Sequence, residues 1–223
     1  MEIHGKGLFQ VQEGIFSMPG RFFSYVLSRD FGFAPNPFNG VCTLATCKPM
    51  IRKAAKVDDW IFGTSSAALG QKIKLIFAMK VTDKITFNKY WYEPKFQTKK
   101  PVMNGSLKKM YGDNVYHNNG SKWIQADSHH SLENGKPNYY NIKRDTSVDA
   151  VLISDKFYYF GKHALSMPNN LLANIVKKGP GHRCPERHWG QKLLDFISAR
   201  SWPLGYHGDP ALFSKFERYN GKS

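Results

Sequence analysis

Turn-forming residues between positions 93 and 121 constrain the fold of this chain more than any other feature of its sequence. The breaks in this run are Pro94, Pro101, Asn104-Gly105, Gly112 and Asn119-Gly120. Such residues favour turns and interrupt a continuous helix, so the segment is not the regular helical crossover that joins parallel strands. The sequence therefore predicts an α+β fold, with a small barrel or curled, mainly antiparallel sheet and helices packed on it.

Runs of apolar and β-branched residues mark the expected strands. These runs are 22–28, 59–63, 72–82 and 122–125, with 150–154 and 157–160 read as a hairpin. Helical spacing predicts helices at 46–57, 86–91, 187–200 and about 211–216. We expect one domain at 21–223, its barrel at about 20–165 followed by a helical part, and read the Gly-rich stretch 1–20 as an N-terminal extension.

Composition narrows the class of protein. Hydrophobic residues make up 41% of the 223 residues, which suffices for a folded core, and no apolar run approaches the ~20 residues of a membrane span. Three cysteines are too few for a disulfide framework and fit a reducing compartment. We therefore expect a cytoplasmic protein that does not enter the membrane, and leave its oligomeric state open.

The net charge of +15 indicates an anionic partner. Residues 61–110 contribute +8, from ten Lys against Asp83 and Glu93, and residues 151–223 contribute +6. Residues 111–150 carry −1 and hold the densest group of His and Asp. The expected partner is a nucleic acid, DNA in preference to RNA, or a free nucleotide, approached through the basic regions.

The first candidate site is the run Asp127-Ser128-His129-His130. Two imidazoles beside a carboxylate could act as acid and base near neutral pH. Neighbouring side chains of a strand point to opposite faces, so both histidines can share one site only on a loop. The alternative is a pair of exposed or structurally bonded histidines.

Cysteines provide the second candidate. Cys47 precedes Lys48-Pro49 at the start of a predicted helix, where a thiol can be activated as a nucleophile. Alternatively Cys42, Cys47, His182 and Cys184 could bind zinc, although their spacing is unusual for such a site. A third interpretation places Cys42 in the core and gives Cys47, His182 and Cys184 no functional role. We expect neither a resident metal nor a cofactor.

Aromatic and basic residues could form a nucleotide pocket. Aromatic rings stack on bases, and arginine binds phosphate through paired hydrogen bonds. Ordinary core packing is the competing explanation for each ring. The candidate binding residues are Arg29, Phe33, Asn36, Lys48, Arg52, Trp60 and Tyr111.

The run 55–91 resembles the PUA-like superfamily, particularly its EVE, ASCH and YTH branches. KVDDWIFG and KIKLIFAMKVTDKITFNKYW follow its order of short strand, variable loop, long strand and aromatic turn, with Asp58 where Gly is more usual. This resemblance implies a barrel that binds RNA or a modified DNA base, often in an aromatic cage.

A closer resemblance covers nearly the whole chain. The blocks FGFAPNPFNGVCTLATCKPMIRKAA, DDWIFGT, NGSLKKMYGDNVYH, QADSHHS, VLISDKFYYFGK and GHRC occur in the order seen in the second nucleotide-modification-associated domain family. Proteins of that family occur in bacteria and their viruses, and the resemblance implies a role in DNA base hypermodification or its recognition.

Two functional hypotheses follow. In the first, the protein binds a modified or flipped base, with the ring among Phe33, Trp60 and Tyr111 and phosphates on Arg29, Lys48 and Arg52. In the second, it is an enzyme acting on nucleotides or modified DNA bases. Its acid and base would then be Asp127 with His129 or His130, together with Cys47 as a possible nucleophile.

Overall fold

The computed structural model describes residues 20–67 and 72–221, which contain eleven strands and six α-helices. The strands are β1 (Phe22–Leu27), β2 (Cys42–Leu44), β3 (Trp60–Ser65), β4 (Lys74–Lys80), β5 (Asp83–Ile85), β6 (Tyr116–Asn118), β7 (Trp123–Gln125), β8 (Val151–Ser154), β9 (Lys156–Tyr159), β10 (Leu165–Ser166) and β11 (Gly205–Tyr206). The helices are α1 (Pro49–Ala54), α2 (Phe87–Tyr92), α3 (Leu107–Met110), α4 (Tyr139–Asp145), α5 (Asn169–Ile175) and α6 (Arg187–Ser198).

The largest sheet has six strands in the order β1-β3-β4-β9-β11, with β10 beside β4. The pairs β3–β4 and β4–β9 are antiparallel, whereas β1–β3 and β9–β11 are parallel. Alternate side chains of these strands point to opposite faces. Phe22 and Phe62 therefore lie on the face covered by α5 and α6, while Phe23 and Ile61 face a second core.

Helix α6 packs directly on β1 through a glycine. A Cβ at Gly190 would lie 2.2 Å from the Phe22 ring, so the missing side chain allows the close approach. Leu193 and Ile197 complete the buried stripe of the helix. Gly190 weakens the helix locally but permits this contact with the sheet.

The second sheet, in the order β2-β8-β5, closes the other side of this core. Leu44 and Leu152 face the large sheet, whereas Val151 and Ile153 face an aromatic cluster around Tyr90 and Tyr111. The predicted hairpin of 150–154 and 157–160 is wrong. Strand β8 pairs with β2 and β5, and β9 pairs with β4 and β11, so the chain changes sheets at Asp155.

The α+β class is confirmed, but the strands of the described segments form three sheets and no closed barrel. A PUA-like relationship stays a prediction. The helix expected at 211–216 is absent: this segment forms turns and bends, and its Phe213 and Phe216 pack against the Tyr111 ring. The proposed extension 1–20 falls outside the described residues except for Gly20.

The turn-rich region contains more regular structure than its sequence indicates. Within it are a 3-10 turn at Pro94–Lys99, helix α3 and strand β6. Strand β6 pairs with β7, and α2 packs against β6, with Thr86 capping α2 through Lys89 N–H (3.2 Å). Among the described residues, no helix has the length and apolarity that a bilayer crossing requires.

Candidate functional site

Cys47 lies on a sharp turn between β2 and α1. Its φ is 56° and that of Lys48 is 39°, so two consecutive non-glycine residues are left-handed. Each such residue costs roughly 1–2 kcal/mol relative to an ordinary conformation, and surrounding contacts must hold it in place. A strand–turn–helix connection of this kind projects the nucleophile from the surface in several hydrolases.

Hydrogen bonds fix this turn from both sides. The Cys47 backbone N–H donates to Asp145 Oδ1 (3.0 Å), and Arg52 Nε donates to the Cys47 carbonyl (2.9 Å). The Arg52 guanidinium also donates to the carbonyls of Val148 and Ala150 at 2.8 and 2.7 Å. Arg52 is fully buried, so it braces the turn from beneath.

A cysteine, a histidine and an aspartate form a chain of contacts at this turn. Cys47 Sγ lies 3.8 Å from His130 Nε2, and His130 Nδ1 lies 2.7 Å from Asp145 Oδ2. In nucleophilic enzymes a base beside the nucleophile, oriented by a third group, is the arrangement that activates a thiol. The geometry therefore matches a Cys–His–Asp triad.

Asp145 is held as an anion by several donors. Tyr116 Oη donates to Asp145 Oδ2 at 2.9 Å and Arg144 Nε donates to Oδ1 at 3.1 Å. Burial opposes ionisation, but His130, Arg144 and Arg52 outweigh it and hold the pKa of Asp145 well below its ordinary value. The carboxylate is consequently a fixed negative charge beneath the imidazole.

That charge keeps His130 protonated. Burial alone would lower the pKa of His130, but contact with the Asp145 carboxylate outweighs it and raises the pKa to about 9. The ring orientation is fixed because Gln125 Nε2 and Asn141 Nδ2 both donate to the His130 carbonyl, at 3.0 and 2.9 Å. The protonated imidazole thus places a positive charge and an N–H donor 3.8 Å from Cys47 Sγ.

The thiol lines a cavity of about 270 Å³, and the described residues that line it include no Asp or Glu. Arg29, Lys48 and Arg144 supply its positive charge. Arg29 and Lys48 make no ion pair within the described part of the chain. The aromatic walls are Tyr25, Phe31, Phe33 and Tyr219. A pocket of this lining suits an anion that carries a flat ring.

His129 lines the same cavity but differs from its neighbour. Its Nδ1 contacts the Glu217 carbonyl (2.5 Å), and its ring packs against Phe31 and Phe33. Burial, reinforced by the charge on His130, lowers the pKa of His129 to about 3. His129 is therefore neutral at physiological pH and can bind through its ring without adding charge.

The C-terminal segment covers one side of the cavity. Tyr219 N–H donates to the His129 carbonyl (2.7 Å), and Asn141 Nδ2 donates to the Tyr219 carbonyl (2.8 Å). These bonds place the Tyr219 ring 5.5 Å from that of His130, centroid to centroid. Tyr219 thus forms part of the wall of the cavity that Cys47 also lines.

The structure brings together part of the set predicted from sequence. Cys47, Lys48, His129, His130, Arg29 and Phe33 line the cavity. Both histidines lie on a loop between β7 and α4, as sharing one site requires. The role of each in binding or chemistry stays a prediction.

Other predicted residues lie outside the cavity. Asp127 accepts from Arg218 Nη1 (2.6 Å) and from Ser131 Oγ (3.0 Å), so the acid beside His130 is Asp145 rather than Asp127. Arg52 is fully buried, and four of its five N–H groups donate to backbone carbonyls beneath the turn, so it does not reach the cavity.

The remaining predicted residues have structural contacts. Asn36 is buried and donates to the Tyr111 carbonyl (2.9 Å). Tyr111 is also buried and stacks on Phe31 behind the cavity wall. Trp60 packs on Phe62 beneath the helices, so of the three rings expected to hold the base only Phe33 lines the cavity.

Metal binding is a second possibility for the triad. Its ligand atoms lie within 4.8 Å of one another, the single such group in the described residues, and Cys42, His182 and Cys184 do not belong to it. However, Asp145 already accepts hydrogen bonds from four residues, and two guanidiniums adjoin it. The donor set fits a hydrogen-bonded triad better than a cation site.

Comparison with known proteins identifies the family. The sequence model of the family described as nucleotide modification associated domain 2 matches residues 19–217. The chain belongs to this family. The matched region of this nucleotide modification associated domain includes Cys47, His130 and Asp145, and ends two residues before Tyr219. No curated protein and no solved structure gives a significant match.

Sequence reasoning missed three residues of the nucleotide modification associated domain site: Asp145, Arg144 and Tyr219. Asp145 follows Lys143-Arg144 at the end of α4, where the pattern resembles an ordinary charged helix end. Tyr219 lies in a segment expected to follow a helix. Asp145 is close to His130 in sequence, 15 positions away. The sequence does not show that this carboxylate is buried, so the short spacing alone could not identify it.

Proposed function

We propose that this domain binds a nucleotide, either free or extruded from DNA, and acts on it through a thiolate at Cys47. The main support is the contact of Cys47 Sγ with His130, which Asp145 orients, at the edge of a positively charged cavity. Membership of a nucleotide-modification-associated family supports a nucleotide as the substrate class. The protein acts in the cytoplasm on this proposal, where thiols remain reduced.

The proposed chemistry pairs Cys47 as the nucleophile with His130 as the proton donor, because the two side chains are in contact. The Cys47 thiolate forms a bond from Sγ to an electrophilic carbon of the base or its substituent. The electron pair of the attacked double bond moves onto the adjacent atom, and His130 Nε2 then donates its proton to the resulting anion. Such covalent catalysis divides one difficult step into two easier ones.

Lys48 and Arg29 would bind the nucleotide phosphate. Lys48 Nζ lies 4.6 Å from the Tyr25 ring centroid, where burial lowers its pKa. A bound anion would stabilise the charged form of Lys48. Phe33 and Tyr219 would contact the base, in agreement with the hypothesis that the domain recognises a modified or flipped base.

The test measures alkylation of Cys47 by iodoacetamide, with the exposed Cys184 of the same chain as the internal control. We expect Cys47 to react faster than Cys184 at neutral pH. His130→Gln should slow alkylation of Cys47 roughly tenfold or more without affecting Cys184, in line with the usual contribution of a neighbouring acid–base group. Peptide mass spectrometry would report both rates.

Nucleotide protection completes the test. Millimolar deoxynucleoside monophosphates should protect Cys47 better than the corresponding nucleosides, because the phosphate contributes binding. If nucleotides bind while Cys47 reacts like an ordinary thiol, the domain is a reader and the enzymatic proposal fails. If neither nucleotides nor single-stranded DNA protect Cys47, the cavity is not a nucleotide site.

A further inference from the structure

Four side chains form an alternating row of cations and rings that leads out of the cavity. Arg29 Cζ lies 6.0 Å from the centroid of the Tyr219 ring, and Arg144 Cζ lies 5.4 Å from the same centroid. Arg144 Cζ is also 5.9 Å from the ring of Tyr140. The row therefore runs from Arg29 at the cavity to Tyr140 on α4.

The outer end of this row is exposed to solvent. Tyr140 is 54% exposed and its neighbour Tyr139 is 77% exposed. Exposed apolar side chains that cluster mark interaction sites, whereas singly scattered ones are normal on a protein surface. The bases of single-stranded nucleic acid stack on such rings whatever their sequence, because every base has a π-face.

Charge around these rings favours a polyanion. Lys136 and Lys143 flank the two tyrosines, are exposed, and make no ion pair with a carboxylate in the described part of the chain. Arg144 contacts both the cavity and Tyr140. A strand with one base in the cavity could thus place its next phosphate near Arg144 and its next base on Tyr140.

We infer that Tyr140 and Tyr139, together with Arg144, form a docking surface for the nucleotides that flank the base in the cavity. The substrate is then single-stranded DNA, or a DNA strand opened at the target base, rather than a free nucleotide. The cavity of about 270 Å³ lies near the lower limit of ligand sites, so the nucleotides that flank a bound base must contact the surface outside it. This inference rests on the proposed function and specifies its substrate.

Fluorescence anisotropy with a labelled single-stranded DNA dodecamer tests the docking surface. Tyr140→Ala should weaken binding roughly fivefold to a hundredfold, as expected for the loss of one stacked base. The matched control is Tyr92→Ala, which removes a tyrosine of similar exposure (63%) from α2. Thermal unfolding of each variant confirms that both fold.

A second readout separates the two proposals. Protection of Cys47 by deoxynucleoside monophosphates should be unchanged in Tyr140→Ala, because Tyr140 does not line the cavity. If neither mononucleotides nor the single-stranded dodecamer protect Cys47 while DNA binding still depends on Tyr140, the proposed function fails and the docking surface remains. If Tyr140→Ala and Tyr92→Ala weaken binding equally, the docking surface is refuted.

Binding of duplex DNA and of RNA tests the preference for single-stranded DNA. Intact duplex of the same sequence should bind more weakly, because its base faces are covered by stacking. Tighter binding of duplex would overturn the role of Tyr140 as a stacking platform. Tighter binding of the equivalent RNA strand would overturn the assignment of DNA as the substrate.

Discussion

Two adjacent histidines show how strongly the pKa of a side chain depends on its surroundings in this protein. The pKa of His129 falls to about 3 because the ring is buried among aromatic residues beside a charged neighbour. The pKa of His130 rises to about 9 because its Nδ1 contacts the Asp145 carboxylate. The same residue type thus supplies a neutral wall and a charged partner for Cys47.

Asp145→Asn tests this dependence. Removing the carboxylate leaves a buried His130 without a counter-charge, so the pKa of His130 should fall well below 9. The free energy of unfolding should drop by about 3–5 kcal/mol, the usual result of breaking a buried ion pair. NMR titration of His130 and urea unfolding measure these two effects.

Asp127→Asn is the matched control for that variant. Asp127 is a partly exposed acid that pairs with Arg218, and the loss of such a pair usually costs at most about 1 kcal/mol. It should leave the titration of His130 unchanged. An His130 pKa that stays near 9 in Asp145→Asn would contradict the role assigned to Asp145.

At the scale of elements, α6 depends on close contact with β1. The helix is amphipathic in sequence, yet a glycine occupies its first turns. Packing explains the glycine, since any side chain at 190 would overlap the Phe22 ring. The element is therefore defined by its apolar stripe, while its distance from the sheet is set by one missing side chain.

Gly190→Ala tests the packing of α6. Alanine favours a helix by about 1 kcal/mol relative to glycine, but overpacking of a core usually costs about 1–3 kcal/mol. We expect net destabilisation by roughly 1 kcal/mol, measured by urea unfolding. Adding Phe22→Leu should recover part of that loss, whereas stabilisation by Gly190→Ala alone would show that the helix adjusts freely.

For the whole molecule, the two histidines make stability depend on pH in opposite directions. Below the ordinary pKa of about 6.5, the unfolded chain protonates His129 and the folded chain does not, so stability falls as pH decreases. Between about 6.5 and about 9, the folded chain keeps a proton on His130 that the unfolded chain loses. Stability from that histidine therefore falls as pH rises.

Variants separate the two contributions. Each histidine contributes a slope of up to about 1.4 kcal/mol per pH unit within its own range. His129→Gln should reduce the loss of stability on acidification, and His130→Gln should reduce the loss on the alkaline side. Urea midpoints measured from about pH 5 to about pH 9 would show this, and identical pH profiles for the two variants would contradict it.

Much of the fold could be predicted from local patterns. The strands near 22–28, 59–63 and 72–82 and the helices near 86–91 and 187–200 were predicted because periodicity and capping act over a few residues. The pairing of strands into sheets was not predictable in this way. Strands β8 and β9 look like a hairpin in the sequence. In the structure β8 pairs with β2 and β5, and β9 pairs with β4 and β11, so the two strands belong to different sheets.

The sequence by itself determined the basic character of the protein, its α+β class, its family resemblance, and Cys47 and His130 as candidates for chemistry. Only the tertiary structure decided that Asp145, rather than Asp127, contacts His130, and that Tyr219 returns from the C-terminal segment to the cavity. The physical reason is that local propensity fixes neighbours along the chain. Contacts between Cys47 and Asp145, 98 positions apart, are chosen by packing and by the need to pair buried charges.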